Sequence, residues 1–389
     1  VEKVPSGGDL SVLRQLNEEA VLRAVRAGGS TRVAGIAERT GLARASVEEV
    51  VRGLVARGWL VEEAPVIAGR GRPARRYRFR AEAGYALGLD IGAYNIRAVV
   101  ADLDGTVLAS AHTGVAPGAR RVTRLSTLDR AVRRCLGDAG VRADQVWAAV
   151  AGSTGWIDPD GRVVLSTAIP DWAGVNLVGH LRRTVGGAVL VENDSKLAAL
   201  AEHRRGAATG ASDVIVLHAG WRTGIGLVIG GRLHRGSGGA AGDFSRLPVL
   251  RWESATEILR RCPSLPSTGP TGDHVLDVIA AAGEADPAAV TAVRAYVHEM
   301  AMVAAATVSV VDPELLVLAG SLSRHADVLL PVLADELAPL CLRPPELRAS
   351  ALGADSVALG GACLALEHLD TLLAAGDGSR GVLRAPAAR

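Results

Sequence analysis

Two aspartates stand where short apolar runs end. Ala86-Leu-Gly-Leu-Asp-Ile-Gly92 reads as a buried strand closing on Asp90 and Gly92. A glycine at that place lets the backbone approach a phosphate, and the aspartate suits Mg²⁺ held through water. Alone the pattern is weak, because any hairpin can contain Asp-x-Gly. Val189 to Glu192 reads as a further strand, ending in Asn193-Asp194. Asp194 is well placed to cap the helix that follows it. Val214 to Leu217 repeats the opening of the body, with Thr223-Gly224-Ile225-Gly226 as its loop. Leu315 to Leu318 runs into Gly320-Ser321, where a nucleotide base could lie against backbone. The only lysines are Lys3 and Lys196, and neither follows the glycine spacing of a Walker A loop.

A second set of candidates is basic and lies near the start. Residues 1–80 hold 15 Lys+Arg against 9 Asp+Glu, a net of +6, whereas the rest holds 28 against 32, a net of −4. Codon bias explains arginine over lysine but not this asymmetry, which suits a head that meets a polyanion. Leu10, Leu13, Leu16, Ala20, Val21, Ala24 and Val25 repeat at helical spacing up to Gly28-Gly29. Ser30 or Thr31 is expected to cap a second helix, and Thr40-Gly41-Leu42 makes a turn. The next helix runs from about Arg44 to Arg57, with Val47, Val50, Val51, Leu54 and Val55 inward. Short helix, glycine turn and longer helix is the spacing that places the last helix in a major groove. Its outward face carries Arg44, Ser46, Glu48, Glu49 and Arg52. Arg52 can read guanine, and Glu48 or Glu49 can accept from cytosine. Trp59 to Glu63 and Arg75 to Arg80 read as a strand pair around Gly69-Arg70-Gly71-Arg72-Pro73. A basic tip of that kind lets Arg70 and Arg72 enter a narrow minor groove. The bland reading is a three-helix protein-interaction domain with a solvated arginine loop, and the two glutamates favour it.

The elements that must position these residues are bounded by composition. At roughly 100–200 residues per domain, 389 residues imply two or three domains. Apolar residues make up 49% and charged residues 22%, ordinary values for a folded chain. Only 12 residues are aromatic, so the core is aliphatic. The longest apolar helical stretch, about Met300 to Val311, falls short of the roughly 18 residues a membrane span needs. The N-terminus has no basic-then-apolar pattern, so a cytoplasmic protein is expected. Cys135, Cys262, Cys341 and Cys363 lie far apart, which rules out a Cys-x-x-Cys zinc site and gives no disulfide framework.

These motifs, in this order, resemble the ROK family (repressors, open reading frames and kinases) over roughly residues 10 to 370. The resemblance rests on the head, on Leu87-Gly-Leu-Asp-Ile-Gly92, on Val191-Glu-Asn-Asp194 followed by the helix Ser195 to Arg204, on Thr-Gly-Ile-Gly226 followed by Gly230-Gly231-Arg-Leu233, and on Leu318-Ala-Gly-Ser321. It implies a two-lobed, actin-like α/β fold of the sugar-kinase type behind a winged helix-turn-helix. The implied division is a head at 1–80, a first lobe at 81–203 with a C-terminal helix at about 353–370 packing back on it, a second lobe at 204–352, and a mobile tail at 371–389. Family kinases phosphorylate sugars with ATP and use the aspartate matching Asp194 as general base. Members with a DNA-binding head are usually sugar-responsive regulators, dimeric or tetrameric.

The departures from the family's motifs bear on function. Ala93 and Tyr94 replace the Gly-Thr of the first phosphate loop, and a tyrosine ring can occupy phosphate space. Arg222 stands where the second loop has glycine, and Val228 replaces another. The family's Glu-x-Gly-His becomes Asp243-Phe244-Ser245-Arg246, and the zinc loop that should follow is replaced by Leu247-Pro-Val-Leu-Arg-Trp-Glu253, without cysteine. In Ser166 to Trp172, Ala168 stands where an asparagine is expected.

The reading is a DNA-binding transcriptional regulator, by expectation a carbohydrate-responsive repressor, with a degenerate kinase site and Asp194 as vestigial base. No cofactor and no metal are expected. Asn193, Asp194, Asp243, Arg246 and Glu253 are expected to converge on an effector, sugar-like or anionic. Arg246 either binds an acidic ligand or neutralises a neighbouring carboxylate. Asp90, Gly92, Thr223, Gly224, Gly226 and Gly320 mark the nucleotide-like loops. Partners are operator DNA and a second copy of the chain. The rivals are an active sugar kinase with a regulatory head, and a constitutive DNA-binding scaffold whose body binds nothing.

Overall fold

The computed structural model of the chain describes residues 10–63, 75–116, 118–220, 222–247, 255–263 and 273–374. Three helices come first: α1 (Leu10–Gly28), α2 (Val33–Thr40) and α3 (Arg44–Ala56). Strands β1 (Leu60–Glu63) and β2 (Arg76–Phe79) pair antiparallel, Leu60 opposite Phe79. The turn between α2 and α3 works through Gly41, whose φ of 70° is left-handed. Val47, Val50, Val51 and Leu54 recur at helical spacing and seat α3 on Val21, Val25 and Ile36.

One expectation for this head fails. Neither Ser30 nor Thr31 caps α2: its N-cap is Arg32, with no side-chain hydrogen bond. The backbone of Thr31 instead exchanges both hydrogen bonds with Tyr77, at 2.9 and 2.8 Å, and Ser30 Oγ accepts from Arg76 Nε at 2.8 Å. Pairing with β2 thus takes these residues out of capping geometry. Leu13 and Leu16 are each 56% exposed, because the first turns of α1 project beyond the head's core.

The body contains two five-stranded sheets of one plan. The first lobe runs β3 (Tyr85–Ile91), β4 (Asn95–Asp102), β5 (Val107–Gly114), α4 (Arg121–Asp138), β6 (Val146–Ser153), a small hairpin β7 (Trp156–Ile157) and β8 (Val163–Leu165), α5 (Leu177–Leu181) and β9 (Ala188–Asn193). Its sheet order is β5-β4-β3-β6-β9, antiparallel on the β5 side and parallel on the β9 side. Helix α6 (Asp194–Arg205) leads to the second lobe. There follow β10 (Val214–Ala219), β11 (Thr223–Ile229), β12 (Arg232–His234), α7 (Ala255–Arg260), α8 (His274–Gly283), α9 (Pro287–Val311), β13 (Leu315–Ala319), α10 (Ala326–Leu337), β14 (Glu346–Ala349) and α11 (Ser356–Ala374). The order β12-β11-β10-β13-β14 repeats the same hairpin-then-parallel pattern. Thr223 to Gly226, expected as a loop, is the first half of β11, opposite Ala219 to Val216 of β10.

Strand β3 is covered on both faces, which is why it reads as a continuous apolar run. Leu87, Leu89 and Ile91 meet Leu128, Val132 and Cys135 of α4. Gly88 faces α11, where a Cβ would lie 1.9 Å from the Ala358 carbonyl oxygen. The second core gathers Ile215, Leu217, Leu316 and Leu318 against Tyr296 and Met300 of α9. Helix α9 starts well before Met300, because Asp286 caps it by accepting from Ala289 N at 2.8 Å and Pro287 sits in its first turn. No helix among the described residues is long and apolar enough to cross a membrane. All four cysteines are buried and free.

Candidate functional site

The end of β9 and the start of α6 place the central residues. Asn193 is the N-cap of α6: its Oδ1 accepts from Lys196 N at 3.1 Å, and its Nδ2 donates to the Gly155 carbonyl at 2.9 Å. Asp194, expected at the cap, is instead the first helical residue. Its Oδ1 accepts from Ser195 N at 2.8 Å and from Asn193 Nδ2 at 3.1 Å. The pocket in front of it lies between the lobes. Thr154, Trp156, Asn193 and Asp194 line it from the first lobe, and His218, Thr223 and Asp243 from the second.

Charge in this cleft is tightly opposed. Burial raises the Asp194 carboxyl above the ordinary aspartate range, against the pull of His218 and of the Ser195 hydrogen bonds. Burial lowers His218, while Asp194 pulls it back up. Asp90 is pushed up to about 7, by burial first and then by the nearby Asp194. Lys196, 3% exposed, donates from Nζ to the Gly239 carbonyl. Burial lowers its amine, opposed by Glu192 and Asp243. Glu192 is itself paired with Arg235. Trp156 Nε1 donates to the Gly238 carbonyl at 2.9 Å, so the loop around Gly238-Gly239 is pinned to the first lobe from two sides.

The pocket brings together Asn193, Asp194, Asp243, Thr223 and Gly224. Arg246 does not join them. It is exposed, lies outside the lining, and has no ion pair among the described residues. Glu253 lies outside the described residues. Asp90 stands one residue before the end of β3, opposite Arg97, and Gly92 N donates to the Asn95 carbonyl at 2.9 Å. Gly320 turns the chain after β13 with φ of 87°. Gly224 and Gly226 have a packing role: a Cβ on them would lie 1.9 Å from Ser195 Oγ and 2.3 Å from the Ser195 carbonyl. Sequence reasoning missed Lys196, His218 and Trp156. A lone lysine in an arginine-rich body, two residues after Asp194, was the available signal.

In the head, Arg44, Glu48, Glu49 and Arg52 are exposed on one face of α3, and Ser46 is half-buried. Arg44 Nε donates to Glu48 Oε1 at 3.1 Å. Arg75 pairs with Glu62, also at 3.1 Å. Arg32, Arg44, Arg52 and Arg75 line one groove with Tyr77. Arg70 and Arg72 lie outside the described residues.

The ROK family model matches residues 86–256 and 270–368. The chain belongs to the ROK family. A model of the IclR helix-turn-helix domain matches residues 20–64. Among curated relatives, the DNA-binding transcriptional dual regulator NagC of Escherichia coli K12 is 25% identical over 366 residues, 88% of each chain. The xylose repressor of Bacillus spizizenii is 23% identical over 245 residues, so the chain spans only 62% of that relative's length. A ROK family glucokinase from Streptomyces griseus, solved with glucose and AMPPNP, matches with TM-score 0.61 and 26% identity, covering 73% of this chain and all of that one. A solved ROK family transcriptional regulator, a homologue of the E. coli MLC protein, shares the fold over 95% of this chain and all of its own, with TM-score 0.71 and 19% identity.

Two departures from the ROK motifs lie within reach of one another's charge. Tyr94, in the first lobe, sits in the field of Arg260 and Arg222 of the second. Arg222 reaches across to the Thr167 carbonyl, 3.3 Å away. Arginine therefore bridges the lobes where the family's loop has glycine. Among the described residues no three His, Cys, Asp or Glu side chains gather as a metal site.

Proposed function

We propose that the chain is a sequence-specific DNA-binding transcriptional regulator, a repressor, whose ROK body dimerises and senses a small sugar-like molecule. The observation that carries this reading is the exposed face of α3, held outward by the buried Val47, Val50, Val51 and Leu54, above a groove lined by four arginines. That arrangement suits a helix in a major groove with arginines on the flanking phosphates. The match to a helix-turn-helix model and the likeness to NagC and the xylose repressors support it. Arg52 is the base reader. Glu48 holds Arg44 in place. Asn193, Asp194 and Asp243 hold the effector in the cleft.

Selection from random DNA tests this directly. The protein should enrich a two-fold related motif, and Arg52→Ala should relax one position per half-site, a loss of about 1–3 kcal/mol for the preferred base. Enrichment of no motif would overturn the reading.

A second reading, an active sugar kinase, draws on the intact Asn193-Asp194 pair and the likeness to the S. griseus glucokinase. Tyr94 and Arg222 in the phosphate region stand against it. We expect no ATP-dependent sugar phosphorylation. Turnover of about 1 s⁻¹ or more that is lost in Asp194→Asn would establish the second reading instead.

A further inference from the structure

The head is seated on the first lobe by an apolar layer. Trp59, just after α3, meets Trp147 of β6 edge to face, ring centroids 5.5 Å apart. Leu60 and Phe79 from the head share one core with Leu103, Trp147 and Leu369 from the body. Such burial resists separation but has no direction of its own.

Direction comes from Arg26, in the last turn of α1. Each of its three guanidinium nitrogens is used, and each on the body. Nε donates to Asp104 Oδ1 at 3.3 Å, Nη1 to Asp370 Oδ1 at 2.6 Å, and Nη2 to the Leu103 carbonyl at 2.5 Å. The guanidinium carbon lies 5.0 Å from the centroid of the Phe79 ring. Its acceptors come from two separate elements, the β4–β5 turn and α11. The turn is stiff: Asp102 Oδ1 accepts from Asp104 N at 3.0 Å and Thr106 N at 2.8 Å, and Gly105 adopts φ of 81°. A planar fork held at three points in two elements resists rotation.

We propose that Arg26 is a positioning residue for DNA reading: it fixes the orientation of the helix-turn-helix head on the body, and so sets the half-site spacing that a dimer engages, while α3 sets base identity. This rests on the regulator reading above. Inserting one base pair between half-sites turns one relative to the other by about 34° and moves it by about 3.4 Å. A rigid head must twist the DNA to follow, whereas a loosened head rotates.

The test is selection from random DNA, followed by binding to the selected site with one base pair added between half-sites. The wild-type protein should lose at least about tenfold in affinity for the altered spacing. Arg26→Gln should keep the same half-site sequence but lose less than about threefold. Asp370→Ala, which removes one of the three acceptors on the body's side of the clamp, should fall between the wild type and Arg26→Gln. Affinity for a single half-site should stay within about twofold in every variant, reporting a folded head. The clamp is overturned if both single variants keep the wild-type spacing preference, if their half-site sequence changes, or if the wild-type protein selects an unpaired half-site. If the wild type selects no motif at all, the regulator reading fails instead.

Discussion

Burial first, and then the charge of Asp194, pushes the Asp90 carboxyl up to about 7. In the unfolded chain the same group releases its proton near 3.8. Between these values the folded state binds more protons, so stability falls as pH rises from about 4 to 7 and levels off above. Asp90→Asn removes that dependence. Measured by denaturant unfolding, the variant should gain on the wild type between pH 5 and pH 8, by at most about 3 kcal/mol. An equal difference at both pH values would show that Asp90 is already ionised at pH 5. Lys196 makes the opposite case. Its ammonium is buried yet compensated, by the Gly239 carbonyl and by Glu192 and Asp243. Lys196→Met should cost about 1.5–3 kcal/mol and free the loop around Gly239, seen as faster amide exchange there. Unchanged exchange would mean that Trp156 alone holds the loop.

Helices α6 and α11 show how packing decides which residues are glycine. Residues Ser195 to Glu202 of α6 are all buried, since β11 lies on one side and α11 on the other. Gly224 and Gly226 admit the β11 side, and Gly360 admits the α11 side, where a Cβ would lie 1.9 Å from the Leu197 carbonyl oxygen. That atom is backbone and cannot swing away. Gly360→Ala should therefore destabilise the body by about 1–3 kcal/mol, measured by denaturant unfolding. No loss would mean that the two helices separate at little cost. The same contacts explain what was legible in the sequence. Apolar periodicity and turn glycines made the strand-helix order and the winged head readable, because those signals are local. Gly224 and Gly226 look like phosphate glycines in sequence, since a close approach to a ligand and to a helix require the same missing Cβ. Thr31 looked like a cap because its pairing with Tyr77 depends on a strand 46 residues away. Lys196 and His218 meet in the cleft only after the lobes are stacked, and no local pattern announces that.

At the scale of the whole molecule, charge is sorted as the proposed function requires. The first 80 residues carry a net charge of +6 and the remainder −4, so the body repels the DNA that the head attracts. Within the head the sorting is finer. Arg44 and Arg75 are each held by a glutamate, Glu48 and Glu62, whereas Arg32 and Arg52 have no ion pair among the described residues. A paired arginine keeps its direction but brings less net charge to the phosphates. Binding should weaken steeply with salt, with a slope of about −0.9 per neutralised phosphate. Arg32→Ala, at the N-cap of α2 and on the groove wall, should weaken all sequences alike and reduce the slope by about one per head, or about two per dimer. Glu48→Gln should act in the other direction. It releases Arg44 and adds a positive charge per head, so non-specific binding should strengthen while discrimination between operator and random DNA narrows. Salt titrations of operator and random DNA with each variant separate these effects. A change in Arg32→Ala confined to one base position would make Arg32 a reader of sequence, and would move the recognition surface from α3 towards the start of α2.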